Sequence, residues 1–210
     1  MYKTNTPTEY REQLRGRILE TAMKEFCARG IKQVKMDDIA RKLGISKRTL
    51  YEIYANKETL LFEGVKQREE AYDHQIKKYM AEEVVTVIDV MALYYRLRMD
   101  AEKNLNPTFF SDLHKYHRIL DYLMQLHAQR SVQMKDFFDA GVKQGYFCAD
   151  ANIMLMCDIE QVVMRYVMEA KLYQKYGVRH VFHNVLLLFI RSICTEKGIT
   201  LLETKINFFK

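Results

Sequence analysis

Residues 36–57, MDDIARKLGISKRTLYEIYANK, allow few folds. Ile39, Leu43, Leu50 and Ile53 are apolar where two crossing helices must touch, and Ala40 is small where one helix passes over the other. Gly44 falls where the chain must turn sharply, at a position suited to positive φ. Ser46 then offers an oxygen to the unpaired amides that open the next helix. Two short helices with a tight turn between them form a helix-turn-helix, which sets its second helix in the major groove of duplex DNA.

The charge is placed accordingly. The 210 residues carry a net charge of +6. Residues 1–68 hold 15 Lys and Arg against 9 Asp and Glu, whereas the remainder holds 18 of each. The whole excess therefore accompanies the helix-turn-helix, as a phosphate-binding module on a neutral body requires.

Two prolines, eight glycines and apolar positions at helical spacing predict an all-α chain. Its N-terminal three-helix DNA-binding domain should be joined by a continuous helix to a larger C-terminal helical domain for dimerisation and ligand binding. The expected boundaries are 1–57 and 58–210. Thr6-Pro7-Thr8-Glu9 reads as a capped helix start, and Leu14, Ile18, Leu19, Ala22 and Phe26 give its inner face. A fourth helix is expected from Asn56 to about residue 80, with no stretch rich in Gly, Ser or Pro that would make a flexible linker. Helices are then expected over about 84–103, shortly after Pro107, and over about 115–145, 150–176 and 179–197. The form of the tail 199–210 is not readable from its residues.

In the helices over 150–176 and 179–197 apolar residues go nearly all the way round. In the second, Val181, Val185 and Leu188 mark one face, Phe182, Leu186 and Phe189 another, and Leu187 and Ile190 a third. Such helices must be covered on every side. A homodimer through these two helices is the economical solution.

Four cysteines lie far apart with no metal spacing, so free buried thiols in a reducing compartment are expected. The first ten residues carry no apolar signal segment. The longest strongly apolar run, Val185–Ile190, is too short for a bilayer. A cytoplasmic protein without membrane attachment is expected.

Residues 11–68 resemble the tetracycline-repressor (TetR) family of bacterial transcriptional regulators. The resemblance rests on Ile39-Ala40, Gly44-Ile45-Ser46, Leu50-Tyr51, Tyr54, Lys57-Glu58 and Leu60. It implies an operator-binding dimer, most commonly a repressor, with an inducer pocket in the C-terminal domain. It also implies a phosphate contact for Tyr51. Two features depart from the family pattern: Val34-Lys35 stands where a threonine cap is common, and Arg48 replaces a small residue.

The candidate DNA contacts are Ser46, Lys47, Arg48, Thr49, Tyr51, Tyr54 and Lys57. Arg48 is the leading base reader, since its fork matches guanine O6 and N7. Lys57 suits a phosphate at a helix start. Tyr54 could equally be core, with its hydroxyl at the surface. The candidate ligand residues are Tyr94, Tyr95, Phe110, His117, Met124, Asp158 and Gln161, which would line a greasy pocket for an apolar or aromatic small-molecule effector. Asp158 stands out as a carboxylate within a run of Met, Cys, Ile and Val. No catalytic residue, metal or cofactor is expected: no Glu-x-x-His, phosphate loop or Gly-x-Ser-x-Gly occurs, and the pairs His114/His117 and His180/His183 lack carboxylates in register. The alternative is a helical-bundle enzyme or protein-binding adaptor without specific DNA binding.

Overall fold

The computed structural model describes residues 7–81, 85–103 and 105–207. It is all-helical, with no strand among those residues. The helices are α1 (Pro7–Arg29), α2 (Met36–Leu43), α3 (Lys47–Ile53), α4 (Lys57–Met80), α5 (Val87–Glu102), α6 (Thr108–Leu113), α7 (His117–Lys143), α8 (Ile153–Glu169), α9 (Leu172–Tyr176), α10 (Val178–Ile193) and α11 (Glu196–Asn207).

The chain forms two compact units. Residues 1–70 and 108–120 make the first; residues 71–107 and 121–210 make the second. α4 runs from the first into the second without a break. Neither packing unit is bounded at residue 57, where the sequence-based expectation ends the DNA-binding domain.

The core of the first unit gathers Leu14, Ile18, Ala22 and Phe26 of α1, Ile39 and Ala40 of α2, Leu50 of α3, and Leu60, Leu61 and Val65 of α4. Phe109, Phe110 and Leu113 of α6 are buried too, and α6 packs on α1. Proline starts α1 as expected, whereas the Thr6 cap lies outside the described residues. A polar clip fastens α6. The buried Asp112 carboxylate accepts the Lys32 amide at 2.7 Å, beside Gly30, whose φ is 84°. A Cβ on Gly30 would run into Thr108 Oγ1.

The second unit packs Val87, Ile88 and Met91 of α5, Phe138 of α7, Ile190 and Ile193 of α10 and Leu202 of α11 around Phe147. α5 begins with a reciprocal cap: Asp89 accepts the Thr86 amide at 2.9 Å and donates its own amide to Thr86 Oγ1 at 3.3 Å. The described part of the tail, to Asn207, is helical as α11, fastened by the ion pairs Lys205–Asp89 and Arg191–Glu203. The expected helix over 150–176 is two helices. Lys171 adopts φ 52°, which ends α8 and starts α9. The four cysteines are free. Cys157 and Cys194 are buried, but Cys27 and Cys148 only half so. Cys148 is not helical; its amide donates to Ile193 O at 2.9 Å.

Gly30→Ala should destabilise the first unit by more than about 1 kcal/mol, because strained φ and the Thr108 clash act together. Thr108→Ala should recover part of that loss. Denaturant titration of the single and double variants measures both; equal losses would remove the clash.

Candidate functional site

α3 has seven residues, and each of its ends is held. Ser46 Oγ accepts the Thr49 amide at 3.0 Å and lies 2.8 Å from Thr49 Oγ1, so Ser46 is the N-cap. Gly44 turns the chain between α2 and α3 at φ 68°. Leu50 is fully buried and pins the helix to the core of the first unit. The C-terminal end is tied to α1, where Arg11 donates to Glu52 O at 3.2 Å. α2 starts without the usual threonine. Its first turn is closed from the other side, by Asp38 accepting the Lys35 amide at 3.1 Å. That bond, with Arg29 and Arg41 nearby, holds the Asp38 carboxyl below its ordinary range.

The outward face of α3 carries Lys47, Arg48 and Tyr51, all exposed. The Arg48 side chain is 89% exposed. Its Nε donates to Glu52 Oε1 at 2.9 Å, which raises the guanidinium's already high pKa. The pair lies along the helix at i, i+4, so the guanidinium points away from the core. Lys47 pairs with Asp37. Thr49 is half-buried against its cap.

Two candidate contacts are corrected by their surroundings. Tyr54 is 1% exposed, a core residue rather than a groove residue. Its hydroxyl donates to Glu63 Oε1 at 3.2 Å, and the Arg15 guanidinium lies 5.0 Å from its ring centre. Burial first, and then the Glu63 charge, push the phenol far above its ordinary pKa. Lys57 does not reach out for phosphate. Its Nζ donates to Ile31 O at 2.9 Å and Val34 O at 3.0 Å. It thereby closes the loop between α1 and α2, and burial lowers its pKa. The helix start that attracted the phosphate reading is capped by Asn56, whose Oδ1 accepts the Thr59 amide at 2.8 Å.

Sequence reading missed the parts that hold α3 in place: Arg11, and the clamp in which Arg15 donates to Glu63 Oε1 at 2.9 Å. A basic i, i+4 pair on a surface helix gives no signal of a distant partner.

Residues 18–63 match the family model described as "Bacterial regulatory proteins, tetR family". The match covers the stretch from the middle of α1 into the first turns of α4. The matched stretch contains α2, the Gly44 turn and α3, a helix-turn-helix. Solved structures share the fold of the wider chain. A TetR-family transcriptional regulator from Marinobacter aquaeolei VT8 superposes with a TM-score of 0.68 at 20% identity, over 91% of this chain and 98% of that one. A transcriptional regulator from Saccharomonospora viridis in complex with choline gives 0.66 at 21% identity, over 88% and 100%. A TetR-family regulator from Agrobacterium tumefaciens gives 0.66 at 14% identity, over 88% and 100%. No curated protein matches the chain in sequence.

The ligand candidates are divided between the two units. Phe110 and His117 belong to the first unit, where Phe110 is core and His117 is exposed. The other five belong to the second. Asp158 and Gln161 are exposed on α8, and Met124 is 64% exposed on α7. Asp158 escapes burial because α8 turns Cys157 and Val167 inward instead. Tyr94 and Tyr95 are half-buried on α5. The Tyr95 hydroxyl hydrogen-bonds His183 Nδ1, and Arg98 lies 5.8 Å from the ring centres of both Tyr72 and Tyr94. Two open grooves of the second unit, one beside Tyr146 and Lys197 and one beside His183 and Leu187, are lined by none of the seven.

Lys57→Met should cost about 1–3 kcal/mol of stability, because two partly buried carbonyls lose their donor. The salt dependence of DNA affinity should be unchanged. A slope lower by about one unit would restore Lys57 as a phosphate contact.

Proposed function

We propose that this chain is an operator-binding repressor. Two copies joined through α8 and α10 set their α3 helices in successive major grooves, and a small molecule in the second unit changes that spacing. The observation that carries the reading is the outward row Lys47, Arg48 and Tyr51 on a capped, pinned α3. Lys47 and Arg48 occupy the first turn, the part of such a helix that meets base edges. Ser46 acts as the cap and Tyr51 as the phosphate contact. The functional division remains 1–57 for DNA and 58–210 for dimerisation and ligand.

Support for the dimer comes from the faces that α8 and α10 leave uncovered. Leu155, Ile159, Val162 and Tyr166 of α8 are 41–62% exposed, and Leu188 of α10 is 61% exposed. Apolar side chains grouped in this way mark an association surface. Support for the effector is the cluster of Tyr72, Tyr94 and Arg98 in the second unit, together with the choline held by the Saccharomonospora protein of the same fold. We assign an apolar or aromatic effector to the α5 side of this unit, with Tyr94 and Tyr95 as its first contacts. No described helix is long and apolar enough to cross a membrane, which agrees with a cytoplasmic regulator.

Arg48→Ala should lower affinity for a selected operator by about 1–3 kcal/mol and relax one base position. Repeating the binding-site selection with the variant checks this, and an unchanged base preference would remove Arg48 as a reader. Val162→Glu should weaken the dimer by about a hundredfold or more, since a charge then faces the apolar patch of the second copy. Sedimentation velocity measures it; an unaltered dimer would place the interface elsewhere.

A further inference from the structure

The exposed stripe of α8 forms a seam on which two copies can meet, and the charges beside it select the direction. Leu155, Ile159, Val162 and Tyr166 are separated by four, three and four residues, so they fall within about a 60° arc of the helix. The pattern reads the same in both directions. A self-pairing about a two-fold axis perpendicular to the helix fits that palindrome, each residue meeting the residue mirrored across the stripe's centre, but a parallel seam has the same spacing, so the charges decide the direction. Leu155 would face Tyr166 of the other copy, and Ile159 would face Val162.

Charge agrees with the same arrangement. Asp158 and Arg165 are exposed and lie on one flank of the stripe. Seven residues place them about 10 Å apart along the helix, too far to pair with each other. Neither makes an ion pair with any described residue. In a parallel pairing the two flanks would lie on opposite sides of the contact. In the antiparallel pairing they share one side, and the Asp158 position lies within a turn of the Arg165 position of the opposing helix.

We infer that α8 packs antiparallel on α8 of a second copy, and that Asp158 and Arg165 form two reciprocal ion pairs across the interface that select self-association. The inference rests on the dimer reading above and deepens it: the apolar stripe supplies attraction, and the charged flank fixes register and partner.

Charge-swap variants of the full chain test it. Each side chain is exposed, so Asp158→Arg and Arg165→Asp should keep the helical circular dichroism and the unfolding midpoint of an isolated chain. Each alone should weaken dimerisation by about tenfold or more at moderate salt, because both attractions become repulsions. The double variant should return to within about threefold of the original, as coupled neighbours do. Mixing the two single variants should give heterodimers. One chain of the mixed pair then carries a cation at both positions and the other a carboxylate at both, so each cation faces a carboxylate. Sedimentation with one variant labelled reads all four cases. A dimeric wild-type chain whose single variants associate as tightly as it does, or whose mixed variants form no heterodimer, would overturn the ion pairs and leave the dimer standing. A wild-type chain that is monomeric throughout would remove the dimer reading and this inference together.

Discussion

A helix of seven residues does not persist in water by itself, because nucleation costs more than so few hydrogen bonds return. α3 is such a helix, and its contact with the rest of the first unit is the constraint on which DNA recognition depends. Leu50 supplies the buried anchor and Ser46 the cap. Gly44 allows the reversal that brings α3 back across α2. Arg11 and the Arg15–Glu63 clamp then fix the C-terminal end. The inward side of α3 is spent on the fold, so its outward groups are left for a ligand. Selectivity follows from that division: a guanidinium reads a base well only when its backbone cannot drift.

The same economy extends through the first unit. Lys57 and Asp112 are charged, yet each is turned to internal work on the loop that follows α1. Lys57 satisfies the loop's carbonyls, and Asp112 satisfies one of its amides. The second of these comes from a segment lying far along the sequence, between stretches that belong to the other unit. α4 and α7 each pass from one unit to the other.

What could be read from the residues alone was local. The turn at Gly44, the Ser46 cap, the Pro7 helix start and the apolar row of α1 are short-range rules of backbone and spacing. The break at Lys171 obeys no such rule, since a lysine in the left-handed region carries no glycine or proline signature. Tyr54 and Lys57 are residue types that suit contacts to DNA. Their true neighbours, Glu63 and the Ile31 and Val34 carbonyls, are set by how helices cross. Asp158 shows the opposite case. Its apolar neighbours suggested burial, but several of those neighbours are themselves exposed on a stripe awaiting a partner. Sequence periodicity shows that a face must be covered, and only the folded chain shows whether that cover is already present.

The central claim is that a rigid α3, presented in two copies, reads a particular duplex. Selection of binding sites from random duplexes by the purified chain tests this most directly. The predicted result is enrichment of an inverted repeat, with half-sites separated by a spacing close to a whole number of helical turns. Sequences that emerge unenriched over the starting pool, or a single unrepeated site, would contradict it.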